Sequence, residues 1–164
     1  MPFCFSLPSS PDMADAVIDV LGLDELPLVV DLYNQIFRPA RPVESFRRRF
    51  QGRLNPLLLV ARVGGKAVGF FLGFELKPDT FFAWFYGVLP DARRMGLGSR
   101  LMETAQEWAA RQGYEGIRLE CLNSQRPMLH LAIELGYDIT GLRWDADLRA
   151  NLVLCEKPLD AAGT

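Results

Sequence analysis

The sequence predicts an α/β domain: a mixed, mainly antiparallel, twisted sheet of six or seven strands flanked by about four helices. Three observations carry this prediction. Apolar runs with a period near two are interleaved with segments at helical spacing. A Gly64-Gly65 pair joins two of those runs as a tight hairpin. Later in the chain, strands and helices alternate singly, which requires some parallel pairing.

The chain has 164 residues, enough for one domain with a full core. Residues 1–13, with Pro2, Pro8, Ser9, Ser10 and Pro11, read as a flexible leader. Residues 14–159 form the expected domain, and 160–164 a tail. Ala14 to Leu21 alternates in character and predicts a first strand. Asp24 is expected to N-cap a helix that turns Leu26, Val29, Val30, Tyr33 and Phe37 inward, with Pro39 closing it. Val43 to Arg53 predicts a second helix, Phe46 and Phe50 inward, Arg47, Arg48, Arg49 and Arg53 outward.

Leu57–Val63, Ala67–Leu76 and Phe81–Leu89 form an antiparallel meander, with Lys77-Pro78-Asp79 as its second turn. Leu97, Leu101, Ala105, Trp108 and Ala109 mark a helix running to Gln112 and stopped at Gly113. Ile117–Leu122 is a strand. Pro127–Leu135 is a helix with proline in its first turn and Gly136 at its end. Ile139–Asp145 and Leu152–Glu156 are the last strands. Phe70, Phe71, Phe74, Phe81, Phe82, Trp84 and Phe85 are dense, as a sheet covered on both faces needs.

Composition excludes several classes. Hydrophobic residues are 49% and charged residues 23%, the usage of a globular chain rather than a disordered one. A net charge of -2 argues against a general nucleic-acid surface. One histidine, His130, and three scattered cysteines, Cys4, Cys121 and Cys155, are too few for a zinc site, so no metal is expected. A hydrolase triad would have to use His130. The odd cysteine count without a secretory leader points to a reducing cytoplasm. The longest apolar stretch, Phe81 to Leu89, falls far short of the ~20 residues of a membrane helix.

The segment richest in chemistry runs Val88-Leu89-Pro90-Asp91-Ala92-Arg93-Arg94-Met95-Gly96-Leu97-Gly98-Ser99-Arg100-Leu101. It ends a strand, turns and opens a helix. Gly96 and Gly98 let the main chain approach a ligand. The first amides of the helix lack intrahelical acceptors, and the helix dipole adds positive potential there. Arg93 and Arg94 bring full charges. These features make an anion site suited to a phosphate or pyrophosphate. The plainer alternative is a strand-to-helix turn with two solvated arginines. A P-loop pattern and a three-glycine dinucleotide fingerprint are both absent.

Arg93-x-x-Gly96-x-Gly98, preceded by Val88-x-Pro90, resembles the acyl-CoA-binding signature of the GNAT superfamily of N-acyltransferases. Leu135-Gly136-Tyr137 is similar to the close of that family's last helix, and Leu152 to Leu159 to its last strand. The element order matches over about residues 15–159. The resemblance implies acetyl-CoA as cosubstrate and the amine of a small molecule or peptide as acceptor, attacked directly in a ternary complex. It implies that the amides of Arg94, Met95, Gly96, Leu97, Gly98 and Ser99 hold the CoA pyrophosphate, with Arg93 beside them. Val88 would pair with the pantetheine arm where two strands splay, and an amide there would stabilise the oxyanion. Asn123 is a cofactor contact by family habit and a turn residue by its own chemistry; Gln125 sits nearer the family's offset. Dimers are common in the family, so a homodimer is an open expectation.

Acetyl transfer to an amine of pKa near ~10 needs a proton acceptor. The family's glutamate on the strand before the loop is missing from Phe81-Phe82-Ala83-Trp84-Phe85-Tyr86-Gly87, and the family's tyrosine four residues before the helix-closing glycine is Ala132 here. Candidate replacements are Glu120, Glu75 and, less directly, His130; Tyr86 is a candidate acid or orienting group. Each has a structural alternative: a solvated carboxylate, a surface histidine, a packed tyrosine. Cys121 could form an acyl intermediate, but direct attack is the family norm. The arginines of the second helix border the acceptor side in the family, as a solvated face or as recognition of an acidic group. A CoA-binding module without catalysis and a nucleotide-phosphate binder remain the competing readings.

Overall fold

The computed structural model describes residues 16–160. The leader, Cys4 and the first two residues expected in the opening strand lie outside them. Seven strands and four helices follow in the expected order: β1 (Ala16–Leu21), α1 (Leu26–Ile36), α2 (Val43–Phe50), β2 (Leu57–Val63), β3 (Lys66–Lys77), β4 (Thr80–Val88), α3 (Leu97–Arg111), β5 (Gly116–Leu122), α4 (Arg126–Glu134), β6 (Asp138–Asp145) and β7 (Ala150–Pro158). The strands form one sheet in the order β1-β2-β3-β4-β5-β7-β6. Every neighbouring pair is antiparallel except β4 and β5. That single parallel pair is the consequence of α3 crossing between them.

Local chemistry explains most boundaries, and two expected ones move. Asp24 does not cap α1. It lies inside a 3-10 turn, Leu23–Glu25, and α1 starts at Leu26 with a proline in its first turn and no side-chain cap. Pro27 presets the helical φ, and the buried Leu26 anchors the turn, so no capping side chain is needed. The second helix ends at Phe50 rather than Arg53, because Gly52 turns left-handed (φ +74°) just beyond it.

The sheet divides the core. On one face α1 and α2 cover β2, β3 and β4, burying Phe46, Phe70 and Phe74. On the other face α3 and α4 close over Phe71, Phe81, Leu119 and Cys155. Fully burying each such aromatic side chain contributes roughly 1.5–3 kcal/mol. The α1–α2 layer stops at β4, so β5, β7 and β6 carry half-exposed or exposed side chains on that side, among them Glu120 and Arg143. No helix among the described residues is long and apolar enough to cross a membrane.

The sheet also carries an irregularity that the alternating pattern does not announce. Leu72 pairs with Phe85 and Gly73 with Ala83, which leaves Trp84 as an extra residue on β4. This is a β-bulge. It sends Trp84 and Phe85 to the same face, the one covered by α1 and α2. Gly73 is required opposite it: a Cβ there would lie 2.7 Å from the Phe82 carbonyl oxygen and 2.7 Å from the Phe81 ring.

Candidate functional site

The bulge marks the point where the sheet opens. The β4–β5 ladder runs from Thr80–Gly116 to Ala83–Leu119 and goes no further. Beyond it β4 bends away, while β5 continues to Leu122 paired only with β7. Two main-chain edges therefore face a cleft from Trp84 and Glu120 onward. The Leu89 amide donates to the Val68 carbonyl, so by strand alternation the polar groups of Val88 face away from β3, into the cleft. The Val88 carbonyl accepts from Arg93 Nε at 3.2 Å. Val88 thus borders the opening, with its carbonyl already engaged by the loop that follows.

At the open end of β4, that loop wraps a concavity of about 270 Å³ lined by Val88, Ala92, Arg93, Arg94, Gly96, Leu97, Gly98, Ser99 and Leu131. Arg94 (φ +73°) and Gly96 (φ +71°) are both left-handed. Such alternation gathers successive amides on one concave side. Gly96 precedes the first turn of α3, where no side chain caps the helix, and its carbonyl takes the first helical bond, from the Arg100 amide. The amides of Leu97, Gly98 and Ser99 are left without helical acceptors. A Cβ on Gly98 would come within 3.3 Å of Leu131 and narrow the cradle. Among the described residues no carboxylate lines it. The residues present fit a diphosphate: oriented donors, two arginines, room, and no opposing negative charge.

Not every residue expected at this loop faces it. Met95 packs with Ala16, Val68, Ala92 and Leu97, so it anchors the loop to the sheet corner and offers only its main chain. Asn123 stands in the exposed turn after β5, its amide donating to the Asn151 carbonyl. Gln125 turns back and accepts the Leu122 amide at 3.0 Å, which ends β5. Leu131, from α4, completes the concavity and had no signal beyond being one more apolar helix residue.

Behind the cleft, toward α3 and α4, sits Tyr86. Its hydroxyl is fully buried and has no hydrogen-bond partner among the described residues. Burial, reinforced by the neighbouring Cys121, Tyr137 and Cys155, raises its pKa far above the usual tyrosine range, so it stays protonated. The nearby Tyr137 hydroxyl differs in accepting from Gln106 Nε2 at 2.9 Å. Ala132, in the place of the family's tyrosine, is buried in the same cluster. Burial pushes the Cys121 thiol up to about 11, which leaves too little thiolate for a nucleophile.

On the α2 side the cleft opens into a cavity of about 670 Å³. Trp84 and Phe85 floor it, Arg41 and Arg49 line the helical side, and Glu120, Arg143 and Asp145 the strand side. Glu120 occupies the first β5 position past the last β4 pair, and its carboxylate meets Arg143 at 2.9 Å. Glu75 is elsewhere. It pairs with Phe81 near the start of β4, at the opposite end of the strand from the loop, and accepts the Tyr114 hydroxyl at 3.0 Å. Asn55 in turn donates to Tyr114 at 2.6 Å, so Glu75 belongs to a packing triad. His130 is exposed on α4. Of the four arginines of the second helical segment only Arg49 lines this cavity; Arg47 pairs with Glu44, while Arg48 and Arg53 border a separate depression.

Residues 26–137 match the model of the acetyltransferase (GNAT) family. No functionally curated protein matches the sequence. Among solved structures, the ribosomal-protein-S18-alanine N-acetyltransferase of Escherichia coli is 22% identical, covers 90% of this chain and 96% of its own, and superposes with a TM-score of 0.77. Ard1 from Thermoplasma volcanium is 18% identical, with 89% and 99% covered and a TM-score of 0.75. The Salmonella typhimurium protein yncA, solved with its cofactor acetyl-CoA, is 15% identical, with 91% and 96% covered and a TM-score of 0.71. At these identities the structures establish a shared fold. The family match over most of the domain establishes more: the chain belongs to the GNAT acetyltransferases, enzymes that move an acyl group from acyl-CoA to an amine acceptor.

Proposed function

We propose that the protein transfers the acetyl group of acetyl-CoA to a primary amine of a small molecule or peptide, by direct attack with both bound at once. The observation that carries this reading is the end of the β4–β5 ladder at Ala83–Leu119. The opening there has the phosphate-type loop at one mouth and a carboxylate-bearing cavity at the other. Acetyl-CoA would supply an activated thioester; its diphosphate fits the amides of Arg94 to Ser99, with Arg93 and Arg94 beside them. Asn123 is not among the residues that line that cradle.

Glu120 accepts the proton that the acceptor ammonium must lose before its nitrogen can attack. It stands at the cleft, half-buried, with Arg143 holding its carboxylate in place. Main-chain donors on the unpaired edge of β4 receive the charge that builds on the carbonyl oxygen. Tyr86, buried and unpartnered among the described residues before the thioester enters the β4–β5 opening, then hydrogen-bonds the departing sulfur. Its pKa lies well above the ~8.5 of a thiol, so it stabilises the thiolate without surrendering its own proton. Glu75 has no part in this, because Tyr114 and Asn55 hold it at the far end of the strand. The thiols of Cys121 and Cys155, free among the described residues, support a reducing, cytoplasmic setting.

The test is release of free CoA thiol with a panel of primary amines, beside calorimetry with acetyl-CoA alone. The expected result is binding of acetyl-CoA and amine-dependent thiol release. Binding without release for any amine favours the non-catalytic module. Stronger binding of ATP than of CoA removes the assignment of the loop.

A further inference from the structure

The cavity beside Glu120 has two walls of opposite sign. Arg41 and Arg49 come from the helical side. Arg41 lies 5.6 Å from the Phe85 ring centre and Arg49 5.8 Å from that of Trp84, and these two rings are 4.8 Å apart. The two guanidiniums thus rest on one aromatic shelf that the bulge creates. Among the described residues neither has a carboxylate within ion-pair distance. The opposite wall carries three carboxylates, Glu120, Asp145 and Asp147, against one guanidinium, Arg143, which already contacts the first two.

A guanidinium over an aromatic face gains a modest cation–π attraction and keeps its N–H fork free for an anion. The Asn34 side chain fixes the approach of Arg41 by bonding both its amide and its carbonyl, so the loop that carries it is held in place. Arg49 is partly desolvated and close enough to Glu120 and Arg143 to feel their charges. The walls therefore ask for positive charge on one side and negative on the other, across an apolar floor, in a volume of small-molecule size.

We propose that the acceptor is a small zwitterion: a primary amine that also carries a carboxylate or comparable anion a few bonds away, on a body with an apolar or aromatic part. The ammonium end faces Glu120, and the anion bridges Arg41 and Arg49. This rests on the reading of the cavity as the acceptor side of an acetyl transfer. It disfavours amines that lack the anion, because they leave the charge of Arg41 and Arg49 on that wall uncompensated.

The experiment uses matched amines with and without the carboxylate: L-phenylalanine and phenethylamine, L-tryptophan and tryptamine, L-methionine and its decarboxylated amine. The amino-acid amides stand in for a peptide N-terminus. In the best pair the carboxylated member is expected to show a kcat/KM about 100-fold higher than its partner and its amide. Arg49→Gln and, separately, Arg41→Gln are expected to shrink that ratio about tenfold, a readout that loss of stacking alone would leave unmoved. If neutral amines or amides react as well as the amino acids, or if the variants leave the ratio intact, the inference falls while the transfer reading stands. If no amine of either kind releases thiol from protein that binds acetyl-CoA, the transfer reading falls and takes this one with it.

Discussion

The two mouths of the cleft are built by opposite means. The loop mouth is main chain: amides of one contiguous stretch, set by the left-handed residues Arg94 and Gly96 and the start of α3. The mouth proposed for the acceptor is side chain: Arg41 before α2, Arg49 on α2, Trp84 on β4, Glu120 on β5, Arg143 on β6. A main-chain cradle fits a group common to every reaction of the family. A side-chain cavity can change with each substitution. The same division explains why the donor is named more readily than the acceptor.

Four changes sharpen or break this contrast. The largest effect is expected at the acceptor mouth. Glu120→Gln keeps the shape but removes the proton acceptor, and kcat is expected to fall about 10³-fold with acetyl-CoA affinity unchanged. An intact rate would move the base elsewhere. Next is Tyr86→Phe, expected to lower kcat about 100-fold. The same variant should unfold later, by about 1 kcal/mol at neutral pH, because an unpartnered buried hydroxyl is removed. A variant that loses both rate and stability would make Tyr86 a packing residue.

Tyr86 also predicts a pH dependence. Its pKa is raised in the folded chain and ordinary, near ~10, in the unfolded one. Below that value both states hold the proton and the stability is full. Above it only the unfolded chain releases the proton, so stability falls by about 1.4 kcal/mol per pH unit for each such group. Tyr137 is shifted in the same direction. Urea titrations between pH 9 and 11 should therefore show a shallower loss for Tyr86→Phe than for the parent chain.

Gly73→Ala addresses the bulge that separates the mouths. Its Cβ would press on a main-chain oxygen that cannot yield, and a loss of about 2 kcal/mol is expected in denaturant unfolding. An unchanged midpoint would mean that the bulge tolerates a side chain there. The smallest change is Tyr114→Phe. It removes the donor to Glu75 and should cost about 1 kcal/mol of stability with kinetics intact, whereas a fall in kcat would return Glu75 to the chemistry.

Much of this architecture is legible in the chain. The Gly64-Gly65 hairpin, the meander, the α3 and α4 stops and the loop all follow from short-range signals, because turn dihedrals and helix ends are decided within a few residues. The acceptor cavity is not local in that sense. Glu120 is visible as a mid-strand carboxylate, but Arg143, Asp145 and Asp147 join its cavity only because the sheet order places β6 beyond β7, and Arg41 only because the α1–α2 layer packs over β4. Glu75 and Glu120 look alike in sequence. The end of the strand on which each falls, set by pairing register, separates them. The bulge had one sequence trace, a glycine inside a strand at position 73, and strand glycines have several causes.

The most direct test of the account is an amide-resolved NMR titration with CoA. With CoA seated in the loop, the backbone amides of Leu97, Gly98 and Ser99 are expected to shift first and furthest, with Val88 following and the Glu75–Tyr114 end of the sheet silent. Shifts concentrated away from those three amides, with their resonances unmoved at saturation, would contradict it.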